Sequence, residues 1–354
     1  MEISADYTFT LEIRDPHTGN ILRQEDLGSL AKFGEHGLFE AICRGDLPPH
    51  AYGKMERAVA TPLWPDEKLK PYLKGIVLTF EAADSACPVT RVHSILDFCG
   101  KAQNLGQSLI NQGMLKPNET ITYRISAAPG GHDGVSGMAG FRSRLKSKVV
   151  GVNKPLVVAR PVDVFGTSES TPGELFDVYL MKPVLDAVMH QAREARKKER
   201  ASFLSGYLGC DPDSGRVFLA VTDAVPAEAG TQSTCTSFSF SGETFMEAEK
   251  YIAQHRGAHE SCVGWEHNHT YCLGCPKSAQ CSASTVFWST DDMQVQASAF
   301  PGPHQVALVI GLEHGKSRDS GKPSYAVKMY GWRNLGMYER KFVVVDTGGS
   351  YDTN

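Results

Sequence analysis

The run SFLSGYLG, Ser202 to Gly209, constrains the fold of this chain more than any other stretch. It carries no charge, its residues are apolar or small, and it reads as a buried strand. What flanks it fixes a layered order. Upstream, KPVLDAVMHQAREARKKER (182–200) places Val184, Leu185, Val188 and Met189 on one helical face and ends in basic residues, as a helix C-terminus prefers. Downstream, the turn CDPDSG leads to a second strand, GRVFLAVTDAVPA (215–227). A helix follows over 241–255, with Ser241, Glu243 and Thr244 at its start. The strand ESCVGWEHNH, a short helix DDMQVQASA, the apolar strand HQVALVIGLE and two late strands, SYAVKMYGW and RKFVVVD, complete the half. Interleaved helices and strands predict an α/β (α+β) fold with a central mixed sheet flanked by helices.

The first half predicts a separate α+β domain. Tyr7, Phe9, Leu11 and Ile13 alternate with polar residues, and Asp15 to Asn20 supply turn chemistry before a second strand. KGIVLTFEA and ETITYRISA read as strands, and Val92 to Leu115 as a helix. The glycine-rich stretch 129–140 reads as a loop, and RSRLKSK (142–148) as a solvated basic loop. The loop GTSESTPGE (166–174) separates two expected domains, 1–165 and 174–346.

A chain of 354 residues with net charge −4 gives no general electrostatic reason to bind nucleic acid or an anionic membrane. No apolar run is long enough to span a bilayer, and the acidic N-terminus lacks the features of a signal peptide, so the expected location is cytoplasmic. Three of the nine cysteines, Cys272, Cys275 and Cys281, fall within ten residues. In a reducing compartment that clustering points to a metal rather than to disulfides.

His267 and His269 lie two apart at the end of an expected strand, so both imidazoles can face one ion. Their nitrogens suit Zn²⁺, and Asp292, at the start of the next helix, can add a carboxylate. Three protein ligands leave a fourth position for water, which is the mark of a catalytic rather than a structural site.

The run Val263-Gly264-Trp265-Glu266-His267-Asn268-His269, followed by Ser289-Thr290-Asp291-Asp292, resembles the JAMM motif of the JAB/MPN metalloprotease family. The element order from about Val178 to Asp346, roughly half the chain, is similar to that of its prokaryotic members. The resemblance implies a JAB/MPN domain over 174–346 with catalytic zinc on His267, His269 and Asp292. It gives Ser289 the role of hydrogen-bonding the oxyanion. It implies hydrolysis at the C-terminal tail of a ubiquitin-like protein, from a conjugate or a precursor. It also suggests E1-like or E2-like enzymes as partners, with antiphage defence as one setting and the first domain binding modifier or partner.

Two departures stand out. Where the family places its basic glutamate, alignment puts Ser202, with Ala201 beside it. Either Glu199 reaches the site, or the domain is a non-catalytic MPN interaction module that keeps its metal, or the base has been deliberately substituted. Glu266 alternates with His267 and should point away. The second departure is a long, Cys-rich insert at 270–288. There Cys272, Cys275 and Cys281 have the spacing of a small knuckle and suggest a second, structural zinc, with a fourth ligand from Cys262, Cys210, Cys235, His255 or His259. An iron–sulfur cluster could use the same thiolates.

Overall fold

A computed structural model describes all residues except 1, 5–6, 28–29, 53–56, 66–71, 81–87, 117–118, 130–153, 196–198, 228–231, 234–237, 270–285, 313–324, 334–335 and 347–354. The cysteine cluster at Cys272, Cys275 and Cys281, Cys235, the glycine-rich stretch from 130 and the basic run 142–148 lie outside the described residues. The fold is mixed α and β, as the sequence predicts. The chain divides into two compact units, Met1–Leu38 with Ala51–Asn153 and Asn334–Gly336, and Phe39–His50 with Lys154–Arg333 and Met337–Asn354.

In the first unit the described elements are β1 (Glu2–Ser4), β2 (Tyr7–Arg14), β3 (Ile21–Asp26), α1 (Ala31–Cys43, its last residues grouping with the second unit), β4 (Arg57–Leu63), β5 (Gly75–Phe80), β6 (Val89–Ser94), α2 (Cys99–Asn111) and β7 (Thr122–Pro129). They form one sheet of order β1-β4-β5-β6 and another of order β3-β2-β7. Alternation buries Phe9, Leu11 and Ile13 on β2, and Ile76, Leu78 and Phe80 on β5. The turn between β2 and β3 forms because Asp15 Oδ1 accepts from the backbone N–H groups of His17 and Thr18, at 2.7 and 3.0 Å.

The helix expected from Val92 is corrected here. Val89 to Ser94 is a strand, with Val92 opposite Val77, and the helix proper starts at Cys99 after a short 3₁₀ turn. The β-branched residues Val89, Thr90 and Val92 favour the pleated sheet. The change of conformation falls at Ser94, whose N–H donates to Asp97 Oδ2 at 2.8 Å. Helix α1 and strand β4 had no signal in the sequence reading; their apolar residues do not recur with a clean period.

The second unit holds β8 (Val157–Val158), α3 (Pro161–Phe165), β9 (Asp177–Met181), α4 (Lys182–Glu194), β10 (Ala201–Cys210), β11 (Val217–Pro226), β12 (Gln232–Ser233), β13 (Phe238–Ser239), α5 (Gly242–His255), β14 (Ser261–Asn268), α6 (Thr290–Ala299), β15 (Val306–Leu312), β16 (Tyr325–Arg333), β17 (Gly336–Arg340) and β18 (Val343–Val345). The main sheet has the order β17-β16-β15-β14-β10-β11-β9-β18, with β8 also pairing with β10. All ten residues of β10 are buried, as expected of a central strand covered on both faces. Its small residues permit close pairing: a Cβ on Gly206 would stand 1.9 Å from the Ala220 carbonyl oxygen.

Two boundaries differ from expectation. Helix α4 ends at Glu194 rather than Arg200, because Arg200 already exchanges hydrogen bonds with Asn268 beside the sheet. RKFVVVD is not one strand. Arg340 closes β17 with its guanidinium 3.7 Å from the centre of the Phe176 ring and donating to the Phe176 carbonyl at 2.8 Å. Beyond it, β18 pairs with β9 at the other edge of the sheet.

Candidate metal centre

The sheet and one helix together build the site. β14 and β15 run parallel, with α6 between them in the chain, so the chain leaves the C-terminal end of β14 and α6 begins nearby. In open α/β sheets that end of the strands is where ligands gather. The pairing is tight, since a Cβ on Gly264 would lie 1.9 Å from the Val306 carbonyl oxygen. His267 stands in β14 opposite Ala201 on one side and Val309 on the other. His269 follows just past the strand, its N–H donating to the Ile310 carbonyl at 2.8 Å.

Helix α6 delivers Asp292. Ser289 is its N-cap. The Ser289 Oγ accepts from the Asp292 N–H at 3.1 Å, and the Ser289 N–H donates to Asp292 Oδ2 at 2.8 Å. This reciprocal box satisfies two donors at the helix start and fixes the carboxylate rotamer. Helix capping by Ser289 is therefore real, and its hydroxyl proton is still available to donate.

The three side chains meet. His267 Nε2 lies 3.0 Å from Asp292 Oδ1, His269 Nε2 lies 3.5 Å from Asp292 Oδ2, and the two Nε2 atoms are 2.9 Å apart. One ligand atom from each falls within 4.8 Å of the others, and all three residues are buried. Burial alone would raise the Asp292 carboxyl, but His267 and His269 outweigh it and hold it far below the usual carboxylate range. Burial pushes the His267 imidazole down, against the pull of Asp292. A buried carboxylate and a neutral imidazole are the protonation states that a divalent cation requires. The donor set thus fits a metal, with His267, His269 and Asp292 as the residues that would hold it. Among the described residues they form the one such cluster of histidine, cysteine and acidic groups.

Glu199 lies on the same side of the sheet. The antiparallel register pairs Ala201 with His267, and the Arg200–Asn268 backbone bond continues it, which sets Glu199 across from His269. Its carboxyl is pushed up to about 7, chiefly by burial, opposed by His269 and reinforced by Asp292 and Asp291. Ser202, by contrast, pairs with Glu266, and its hydroxyl lies 3.1 Å from Gln191 Oε1 on α4. Ser202 and Glu266 therefore share the opposite face, as alternation predicts for Glu266. Burial pushes the Glu266 carboxyl up to about 8, with Ser202 opposing.

Sequence reasoning missed Gln296 and Phe287 around this site, and read Trp265 as part of the motif without giving it a role. The Trp265 ring stacks on His267, Trp265 Nε1 donates to Gln296 Oε1 at 2.8 Å, and the half-exposed Phe287 ring centre is 4.9 Å from that of His269. The i, i+4 spacing of Asp292 and Gln296 was the one available signal. Of the suggested fourth ligands for the cysteine knuckle, Cys210 and Cys262 carry thiols raised by burial, that of Cys262 to about 12, which disfavours the thiolate a metal needs.

No helix among the described residues is long and apolar enough to cross a membrane. No protein-family model matches the chain. No curated protein matches it either. Among solved structures, the solution structure of a protein from Desulfitobacterium hafniense is similar to 48% of this chain and 93% of its own, at 20% identity and a TM-score of 0.33.

Proposed function

We propose that the protein is a zinc-dependent hydrolase of the JAB/MPN type, acting as a peptidase or isopeptidase at the C-terminal tail of a ubiquitin-like protein. The observation that carries this reading is the convergence of His267, His269 and Asp292 in a buried site at the end of β14, behind a helix capped by Ser289. Two imidazoles and a carboxylate suit zinc. When bound, the ion supplies a Lewis acid that acidifies water and polarises a carbonyl oxygen. Glu199, raised to about 7, holds or releases a proton near neutral pH, as a general base must. The Ser289 O–H donates a hydrogen bond to the developing oxyanion while its oxygen still accepts from the helix. The ubiquitin-like substrate class and the E1-like or E2-like partners rest on the motif resemblance. A second structural zinc on Cys272, Cys275 and Cys281, which lie outside the described residues, rests on the cysteine spacing and not on the resemblance.

A second reading, a non-catalytic MPN module that keeps its metal, is favoured by one observation: Ser202, which the sequence alignment sets at the family's glutamate position, cannot take a proton from water and faces away from the triad. Metal analysis and turnover of an isopeptide-linked ubiquitin-like conjugate separate the two. Zinc in the wild type, cleavage, and loss of cleavage in Glu199→Gln support the hydrolase. Zinc without cleavage supports the module, and iron in place of zinc removes both assignments of the ion.

A further inference from the structure

We propose that Trp265, pinned by Gln296, is a positioning residue that sets the His267 imidazole for metal binding. The inference rests on the metal reading of the triad and goes beyond it to the groups behind the ligands.

A ligating histidine is ordinarily aimed by a hydrogen bond from its other ring nitrogen to a carboxylate or carbonyl. His267 lacks that device: its Nδ1 is buried and has no hydrogen-bond partner among the described residues. The χ2 torsion of a histidine is broad and roughly two-fold, so without a lock the ring can turn its nitrogens away from the metal. Packing supplies the lock. The Trp265 indole lies on the imidazole with ring centres 4.4 Å apart and planes 12° from parallel. Both residues project from the same face of β14, two apart.

The indole is itself fixed. Its Nε1 donates to Gln296 Oε1 at 2.8 Å, and Phe300 lies near-parallel to it, at 5.9 Å and 10°. Gln296 has no freedom to release it. Its Nε2 donates to the Phe300 carbonyl at 2.9 Å and to the Gln305 carbonyl at 3.4 Å, which settles the amide orientation with Oε1 toward the indole. All of these side chains are fully buried. Gln296 sits one helical turn after Asp292, so α6 carries both the carboxylate ligand and the anchor of the histidine lock. A shift of α6 would disturb two ligands at once.

The test compares wild type, Trp265→Phe, Trp265→Leu, Gln296→Leu and His267→Ala in the full chain. Zn²⁺ affinity is measured by chelator competition, Co²⁺ absorption reads ligand geometry, and apo Tm reads the fold. Trp265→Leu and Gln296→Leu should weaken Zn²⁺ binding by about 10- to 100-fold, the usual cost of losing a group that orients a ligand. Both should alter the Co²⁺ spectrum. Trp265→Phe keeps a ring over His267 and should lose less. If Trp265→Leu does not fold, Gln296→Leu and Trp265→Phe decide on the same readouts. Lower Tm with unchanged Zn²⁺ affinity and Co²⁺ spectrum overturns the inference and leaves the metal site standing. A wild type that takes up no Zn²⁺, or a His267→Ala protein that binds it as the wild type does, overturns the metal reading and the inference with it.

Discussion

Two buried carboxylates, Glu260 and Asp292, lie in the same unit and answer to opposite demands. Glu260 is fully served by its neighbours. Its Oε2 accepts from Thr222 at 2.6 Å, Ser205 at 3.2 Å and Arg256 Nε at 3.0 Å, and its Oε1 accepts from Arg256 Nη2 at 3.2 Å. Lys154 Nζ donates to its backbone carbonyl. Arg256, which also lies 3.6 Å from Asp223 Oδ2, neutralises the Glu260 carboxylate, and the cluster clamps the strand irregularities at Leu204, Ser205 and Gly206. Asp292 faces two imidazole nitrogens that also face each other at 2.9 Å. Two neutral imidazoles can place at most one proton on that line, so a lone pair is left pointing inward. Donors and acceptors that cancel one another make a structural clamp; acceptors that converge make a site for a cation.

That contrast can be broken by exchange of roles. The His267→Ala and Asp292→Ala proteins should lose Zn²⁺ affinity by about three orders of magnitude, equivalent to about 4 kcal/mol, while Glu260→Gln leaves it unchanged; chelator competition reads this. Turnover is the next measure. Glu199→Gln should lower hydrolysis by about 10²- to 10⁴-fold with Zn²⁺ content intact, in line with the removal of a general base. The clamp should respond in stability instead. Glu260→Ala removes the acceptor that Arg256, Ser205 and Thr222 share and should cost roughly 2–3 kcal/mol in urea unfolding. An equal loss in Asp292→Ala apo protein would erase the distinction.

A pH profile of stability sharpens the view of the two faces of β14. Glu266, raised to about 8 in the fold against an ordinary value near 4.5, keeps its proton at neutral pH. A carboxyl raised on folding contributes its full stabilisation below the unfolded value and loses it as pH climbs through the folded one. Glu266→Gln, which stays neutral, should therefore match the wild type near pH ~5 and gain relative stability toward pH ~9. A flat difference in melting temperature across that range would show that Glu266 is not held protonated.

The site was partly legible. His267 and His269 follow from their spacing on a strand, Asp292 from its place at a helix start, and Ser289 as a cap from that same start; the site role of Ser289 comes from the motif resemblance. Such patterns are local, and local geometry fulfils them. Glu199 was weaker, because its proximity to His269 depends on the register between β10 and β14, two strands about sixty residues apart. Gln296 and Trp265 were invisible as a pair, since a tryptophan on a strand and a glutamine on a helix carry no mutual spacing. In the fold, β10 announced itself by having nothing polar enough to expose. The start of α2 did not, because Val92 fits a helical period as well as a strand, and only its pairing with Val77 chooses.

Composition and pattern were thus enough for the mixed class, the central strand, the capped start of α6 and the direction of Glu266. Each follows from forces acting within a few residues: alternation, helical period and capping. The closure of the triad, the placing of Glu199 beside it and the stack behind His267 were decided by the tertiary structure. They require a parallel crossover to bring α6 back over β14, and a sheet register to align β10 with it. Those contacts are made between segments that the chain order leaves apart, and burial gives them their strength.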